Sequence, residues 1–337
     1  MTGKALAAAG ALLALSATPA QADPARTVAE SARQVEPARP VGALVPQTRI
    51  ASSIELGRIM FPSGGGGALG AIIIAGNNDI PQRLADAALE RAETRIAPLR
   101  TALAGFDATP LAGDATLAAV QATGWLGASP PDLLTVSADE SADGTAHPVL
   151  VSRTYSIGLW GPSPNMNTAA ETWAGDVGAM QRRFDEAHAD AAERAQVQWR
   201  YQMSPDFSQV QVYADVSLRR QGVIEPYFAQ QVISVVRLDR ASYIEEDNVT
   251  RWAANDAALA RRALAMAFAR AGEVLPHVLA LDQANFTALT EEEGRQTATA
   301  AGYHGPLLVR DTTGPVFWAE DGDQRLAAFV ATQTIRE

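Results

Sequence analysis

Two alternating runs constrain this chain more than any other feature: Val197-Gln-Trp-Arg-Tyr-Gln-Met203 and Val210-Gln-Val-Tyr-Ala-Asp-Val-Ser-Leu218, joined by the turn residues Ser204-Pro-Asp206. Successive side chains of a strand point to opposite faces. Val197, Trp199, Tyr201 and Met203 therefore share one surface, and Gln198, Arg200 and Gln202 share the other, as a half-buried strand requires. A third strand is expected over residues 227–238, after the Gly222 and Pro226 break, so that successive strands form an antiparallel meander. Residues 133–138 and 149–157 read as further strands around a polar loop at 139–145. Near the C-terminus, residues 307–310, 315–319 and 326–331 read as a small strand-turn-strand unit, and the pattern leaves open whether it joins the main sheet.

Helical spacing surrounds this β-rich middle. Leu84, Ala88, Ala92, Ile96, Leu99 and Leu103 recur at three and four residues, with Asn78 or Asp79 as cap, Pro81 in the first turn, a kink expected at Pro98 and an end near Gly105. A weaker pattern of small residues covers 108–129. Trp173, Val177, Met180, Phe184, Ala187 and Ala191 form a stripe behind a Thr168 cap. Ala253, Ala257, Ala260, Leu264, Phe268, Ala271 and Leu275 form another behind Asp247, with a stop expected over Gly272 to Pro276.

The N-terminal 22 residues read as an export signal. Lys4 precedes an apolar run at residues 5–15, and Ala20-Gln21-Ala22 offers small residues at the cleavage positions, which makes Asp23 the expected mature N-terminus. The run is shorter than the roughly 20 residues needed to cross a bilayer. About 315 residues would remain, enough for one large or two modest domains. The absence of cysteine removes disulfides, thiolate metal sites, cysteine nucleophiles and a lipoprotein anchor together. A net charge of -11 disfavours nucleic acid and anionic lipid as partners. Residues 23–53 carry four prolines and read as a flexible, extended arm, with one edge strand within 43–54 because Pro46 lacks an N–H.

Residues 59–78 hold no charge and contain four consecutive glycines followed by an apolar stretch. Gly66 and Gly70 have the GxxxG spacing that lets helices approach inside a membrane. Pro62 and the glycines are poor material for a spanning helix, and residues 68–75 would rise only about 12 Å. A phosphate loop would need Gly-Lys-Ser/Thr where Ala68 and Leu69 stand. The remaining readings are a buried segment packed close to another backbone and a partner or membrane contact through Gly66, Leu69, Gly70, Ile72, Ile73 and Ile74.

Ser63-Gly-Gly-Gly-Gly-Ala-Leu-Gly-Ala, Ala92-Glu-Thr-Arg-Ile-Ala-Pro-Leu-Arg100, Ala102-Leu-Ala-Gly-Phe-Asp107, Tyr201-Gln-Met-Ser-Pro-Asp-Phe-Ser208 and Tyr213-Ala-Asp-Val-Ser-Leu218 together resemble a family of uncharacterised exported proteins of Gram-negative bacteria. The resemblance covers about half of the mature chain in short motifs. It implies periplasmic or envelope placement and carries no chemistry. Many such relatives are lipoproteins, from which this cysteine-free chain departs.

The search for catalytic residues is mostly negative. His147, His188, His277 and His304 show no metal spacing, and no Gly-x-Ser-x-Gly elbow occurs. Asp185, Glu186, His188 and Asp190 read as a solvated helix face. Glu245-Glu246-Asp247 and Glu291-Glu292-Glu293 read as negative charge at helix N-termini. Ser204 and Ser217 have no visible activating base. Asp215 shares parity with Tyr213 and Ser217, which places it beside Arg200 and Arg219 on the open side of the sheet, a polar binding face if it is not simply solvated.

The expected protein is α+β: an antiparallel meander covered by two or three Ala-rich helices, with an extended N-terminal arm. Its regions are signal (1–22), flexible arm (23–53), Gly-rich and helical region (54–130) and sheet with covering helices (131–337). No catalytic residue, cofactor or metal is assigned. The leading function is a non-enzymatic, periplasmic envelope protein contacting a protein or membrane surface. The alternatives are a periplasmic hydrolase with carboxylates converging from separate loops and a small-ligand binding module on the open sheet face. The ligand module would show an aromatic-lined pocket.

Overall fold

The computed structural model describes residues 24–34, 39–56, 79–127, 129–136, 150–154, 170–291, 294–320 and 327–336. The expectations for the export signal, the glycine-rich segment, the Thr168 cap and the 139–145 loop lie outside the described residues. In chain order the elements are α1 (Glu30–Arg33), β1 (Val41–Val45), β2 (Ala51–Leu56), α2 (Asp79–Ala102), α3 (Thr109–Thr123), β3 (Asp132–Thr135), β4 (Leu150–Thr154), α4 (Ala170–Ala187), β5 (Glu193–Met203), β6 (Gln209–Arg220), β7 (Phe228–Leu238), α5 (Glu245–Ala280), α6 (Gln283–Glu291), β8 (Thr297–Ala300), β9 (Tyr303–Arg310), β10 (Pro315–Glu320) and β11 (Ala327–Ile335). The fold is α+β.

The alternating runs become β5 and β6, and with β7 they pair antiparallel in succession. Their first turn is closed by Asp206, whose carboxylate accepts hydrogen bonds from the Ser204 hydroxyl at 2.6 Å and the Ser208 N–H at 3.1 Å, with Phe207 in the left-handed region. Beyond this meander the sheet is mixed. Its order is β3-β1-β5-β6-β7-β11-β10-β9-β8, and β2 pairs with β5 and β4. β1 runs parallel to both β3 and β5, and β11 runs parallel to β7. Residues 43–54 thus correct the expectation of one edge strand. β1 ends before Pro46, inside the sheet, and β2 starts after it, so the proline falls in the connection, where its missing N–H costs no ladder bond.

The region expected as a flexible arm is likewise built in. Ala25 bridges to Phe228 on the edge of β7 that β11 leaves free. The Arg39 guanidinium, 1% exposed, is held by the Glu193 carboxylate, the carbonyl of Ala32 and the ring of Trp125. Tyr227 donates to the same carboxylate at 3.0 Å.

One face of the sheet carries the main core. Trp199 and Tyr201 pack on Phe268 of α5 with ring centroids 5.3 and 6.0 Å apart, and the Trp199 N–H donates to Thr116 of α3 at 2.9 Å. Burying each such side chain contributes about 1.5–3 kcal/mol. α3 and α5 approach closely enough that a Cβ on Gly272 would lie 2.7 Å from the Ala115 carbonyl oxygen. α2 runs to Ala102 with Pro98 inside it. Two helical expectations are corrected. α5 continues through Gly272 and Pro276, because packing against the core outweighs the lost backbone bonds. Asp247 lies in the first turn of α5, not ahead of it. α5 is interrupted instead at residues 254–257, where Asn255, Asp256 and Ala257 adopt φ of 51–57°. It is long and apolar enough to cross a membrane, but 61% of that apolar window is buried inside the protein, as in a core helix.

On the opposite face α4 covers only one end, with Phe184 against Gly42 of β1. At the other side a second apolar cluster joins Tyr213, Ile233 and Val235 to Tyr303, Phe317 and Val330. β6 and β9 are four strand steps apart, which would separate them by about 19 Å in a flat sheet. Their contact therefore shows that the sheet curls toward this face, with a bulge at Val316/Phe317 on the way.

Candidate functional site

Between α4 and the curled strands the sheet presents polar side chains in cross-strand rows. Register places Gln196 opposite Ser217, Gln198 opposite Asp215, Arg200 opposite Tyr213 and Gln202 opposite Gln211, and continues from Asp215 to Gln231 on β7. Arg200, Tyr213 and Asp215, the residues expected to share a polar face, are brought together. Arg200 donates to Asp215 through Nε at 3.1 Å and Nη2 at 3.0 Å, while its guanidinium lies 4.6 Å from the centre of the Tyr213 ring. Gln231 donates to the other Asp215 oxygen at 2.5 Å. The Tyr213 hydroxyl donates to Gln211 at 3.0 Å and accepts from Gln202 at 3.1 Å. Burial, followed by the neighbouring Tyr303, holds that hydroxyl far above the ordinary phenol range. This is a neutral, cross-linked patch, only 30% exposed at the Asp215 side chain.

Next to it opens a cleft of about 360 Å³. Gln196, Gln198, Asp215 and Arg219 line it from the sheet, Gln181 from α4 and Gln231 from β7. Gln196 is 2% exposed, and neither its amide nitrogen nor its amide oxygen has a hydrogen-bond partner among the described residues. Gln230, the neighbour of Gln231 on β7, points to the opposite face of the sheet, where it donates to the Arg26 carbonyl at 2.8 Å. Burial lowers the Arg219 pKa, against the opposing charges of Asp185 and Glu225, and its Nε is also unpaired. A buried polar group without a partner costs about 1–3 kcal/mol, so a ligand that satisfies these atoms recovers that energy.

Gln196, Gln230 and Gln231 were not among the residues singled out from sequence. The signal was present: the alternation of β5 extends back through Ala195 and Gln196, and a glutamine opposite an apolar neighbour marks the second face. The aromatic lining expected of a ligand module is missing among the described residues: glutamine, arginine and aspartate side chains share the cleft with Val216, Pro226, Ala229 and Ala327.

A second cleft of about 360 Å³ lies between residues 48–50 and the end of α2, beside Arg49 and Arg100. Arg100 is tied to Glu93 and to the Ile50 carbonyl at 3.0 Å, and Arg261 donates to the Ala102 carbonyl at 3.1 Å. Cations at a helix C-terminus complement its negative end, which in turn disfavours an anionic ligand there. Arg100 and Arg261 thus serve the fold, while the buried Nε of Arg49 has no hydrogen-bond partner among the described residues.

Other candidates also resolve into structure. Ser204 belongs to the turn above. His188 pairs with Asp132 across to β3, and Asp185 lies 3.8 Å from Arg194. Glu245 and Glu246 both pair with Arg95. No cluster of three or more metal-ligating side chains occurs among the described residues. Asp215 is the one carboxylate lining the polar cleft among the described residues. Gly66, Leu69, Gly70, Ile72, Ile73 and Ile74 lie outside them. No protein-family model, curated protein or solved structure matches this chain.

Proposed function

We propose that this is an exported binding protein that holds a small polar ligand in the cleft between α4 and strands β5–β7. The observation that carries the reading is the Gln196 amide, buried at the cleft with both ends unpaired while its neighbours form a closed network. The fold supports it by fixing the cleft floor on three consecutive long strands, which hold side chains more rigidly than loops do. Export rests on the pattern of residues 1–22, and envelope placement on that pattern together with the motif resemblance. Contact with a protein or membrane through residues 64–75 rests on their apolar, uncharged sequence.

The test is native purification from the periplasmic fraction, followed by denaturation and mass spectrometry of the released small molecules, alongside Gln196→Leu. A small molecule retained by the wild type and absent from the variant is the expected result, with a mature chain starting at Asp23. Equal recovery from both proteins would remove the cleft from the reading, and cytoplasmic retention of the uncleaved chain would remove export.

A further inference from the structure

Arg219 is the charged group of the cleft that the fold provides for least, and it narrows the ligand, given the binding reading above on which this step rests. Strand parity sets it on the face of Asp215 and Ser217, and register puts Ser217 opposite Gln196, so Arg219 and Gln196 are diagonal neighbours across β5 and β6. Arg219 is half-buried, and its buried Nε has no hydrogen-bond partner among the described residues. Burial is the strongest influence on it and disfavours its charged form, yet an arginine stays charged at neutral pH. The fold therefore keeps a guanidinium that has lost water and gained no direct partner at Nε.

The carboxylates around it are engaged elsewhere. Asp215 takes two bonds from Arg200 and one from Gln231. Asp185 and Glu225 act on Arg219 through their fields; Asp185 lies 3.8 Å from Arg194, and Glu225 is exposed, so that solvent screens it. Arg26 adds an exposed cation at the rim. A partly opposed guanidinium balances one negative charge better than two. Its planar fork, with Nε unused, meets a carboxylate through two parallel N–H···O bonds. The adjacent Gln196 amide has donors and an acceptor unused, and the acceptor requires a ligand that also donates, as a hydroxyl does. Pro226 and Ala229 offer apolar contact for a short carbon skeleton, and a volume of about 360 Å³, at the lower end for small-molecule pockets, keeps the ligand compact.

We infer that the cleft takes a small hydroxy acid, a monocarboxylate forked by the Arg219 guanidinium with its hydroxyl held by the Gln196 amide. Both contacts are required: the charge selects the acid, and the amide selects the hydroxyl.

The experiment is calorimetry and thermal shift on the purified protein with lactate and gluconate, set against their neutral counterparts lactamide and sorbitol and against propionate, which lacks the hydroxyl. Arg219→Gln, Arg219→Lys and Gln196→Leu are measured in parallel. At least one hydroxy acid is expected to bind and raise Tm, with its neutral counterpart and propionate weaker by about tenfold or more. Arg219→Gln weakens the acid by a similar factor and holds or raises the Tm of the free protein, since it removes a buried charge; Arg219→Lys falls between, keeping the charge and losing the fork. Equal binding of an acid and its neutral counterpart, or binding unchanged in Arg219→Gln, would overturn the assignment while the cleft reading stands on the loss in Gln196→Leu. Silence of both acids overturns the assignment, and the cleft reading is then judged by the small molecule that the wild type retains and Gln196→Leu does not. A lower free-protein Tm in Arg219→Gln would make the guanidinium a fold element and overturn its role in binding.

Discussion

Arg39 and Glu193 show how single residues tie the N-terminal segment to the sheet. Arg39 is buried and the Glu193 side chain is 12% exposed, and each satisfies the other together with neighbouring polar groups. Arg39→Ala strands the Glu193 carboxylate and is expected to lower stability by about 3–5 kcal/mol in urea unfolding. The same carboxylate, after burial itself, pushes the Tyr227 hydroxyl up to about 12 from 10. The native state therefore holds that proton more tightly than the unfolded chain does. The stabilisation is complete below pH 10 and is lost as pH rises toward 12. Tyr227→Phe should flatten this alkaline slope in pH-dependent melting curves. In α5, Asn255 has φ of 51°, which asparagine tolerates and a β-branched residue does not. Asn255→Val should cost about 1–2 kcal/mol, and Asn255→Gly only a few tenths. None of these roles was legible in the sequence, because an arginine's partner and a helix residue's φ are set by distant packing. Arg200, Tyr213 and Asp215 were legible, since strand parity alone puts them on one face.

At the scale of elements, the periodicities carried most of the information and the breakers misled. The stripe of Ala92, Ile96, Leu99 and Leu103 is buried as spacing predicts, as are Leu264, Phe268, Ala271 and Leu275. Gly272 and Pro276 suggested a stop, yet α5 runs on because this is where it meets α3. That contact gives a prediction in which two effects oppose each other. Gly272→Ala gains about 1 kcal/mol in helix propensity, but the added methyl would press on the Ala115 backbone at 2.7 Å, and overpacking costs about 1–3 kcal/mol. The backbone of α3 cannot yield as a side-chain tip can, so a net lower Tm is expected.

For the whole molecule, the meander was readable and the mixed sheet was not. Parallel partners are separated by long stretches of chain, and no local pattern names them. β11 is the clearest case: its alternation marks a strand, while its place between β7 and β10 follows only from the assembled sheet. Removing residues 327–337 should therefore abolish cooperative unfolding, as followed by circular dichroism, because two halves of the sheet lose their common strand. The position of β11 also sets an order of events during synthesis. β7 is made about a hundred residues before the strand that covers it, which at roughly 5–20 residues per second leaves its apolar, hydrogen-bonding edge open for seconds. Through that interval the nascent chain offers a ready strand-pairing template, and whatever escorts it must shield that edge until residue 335 arrives.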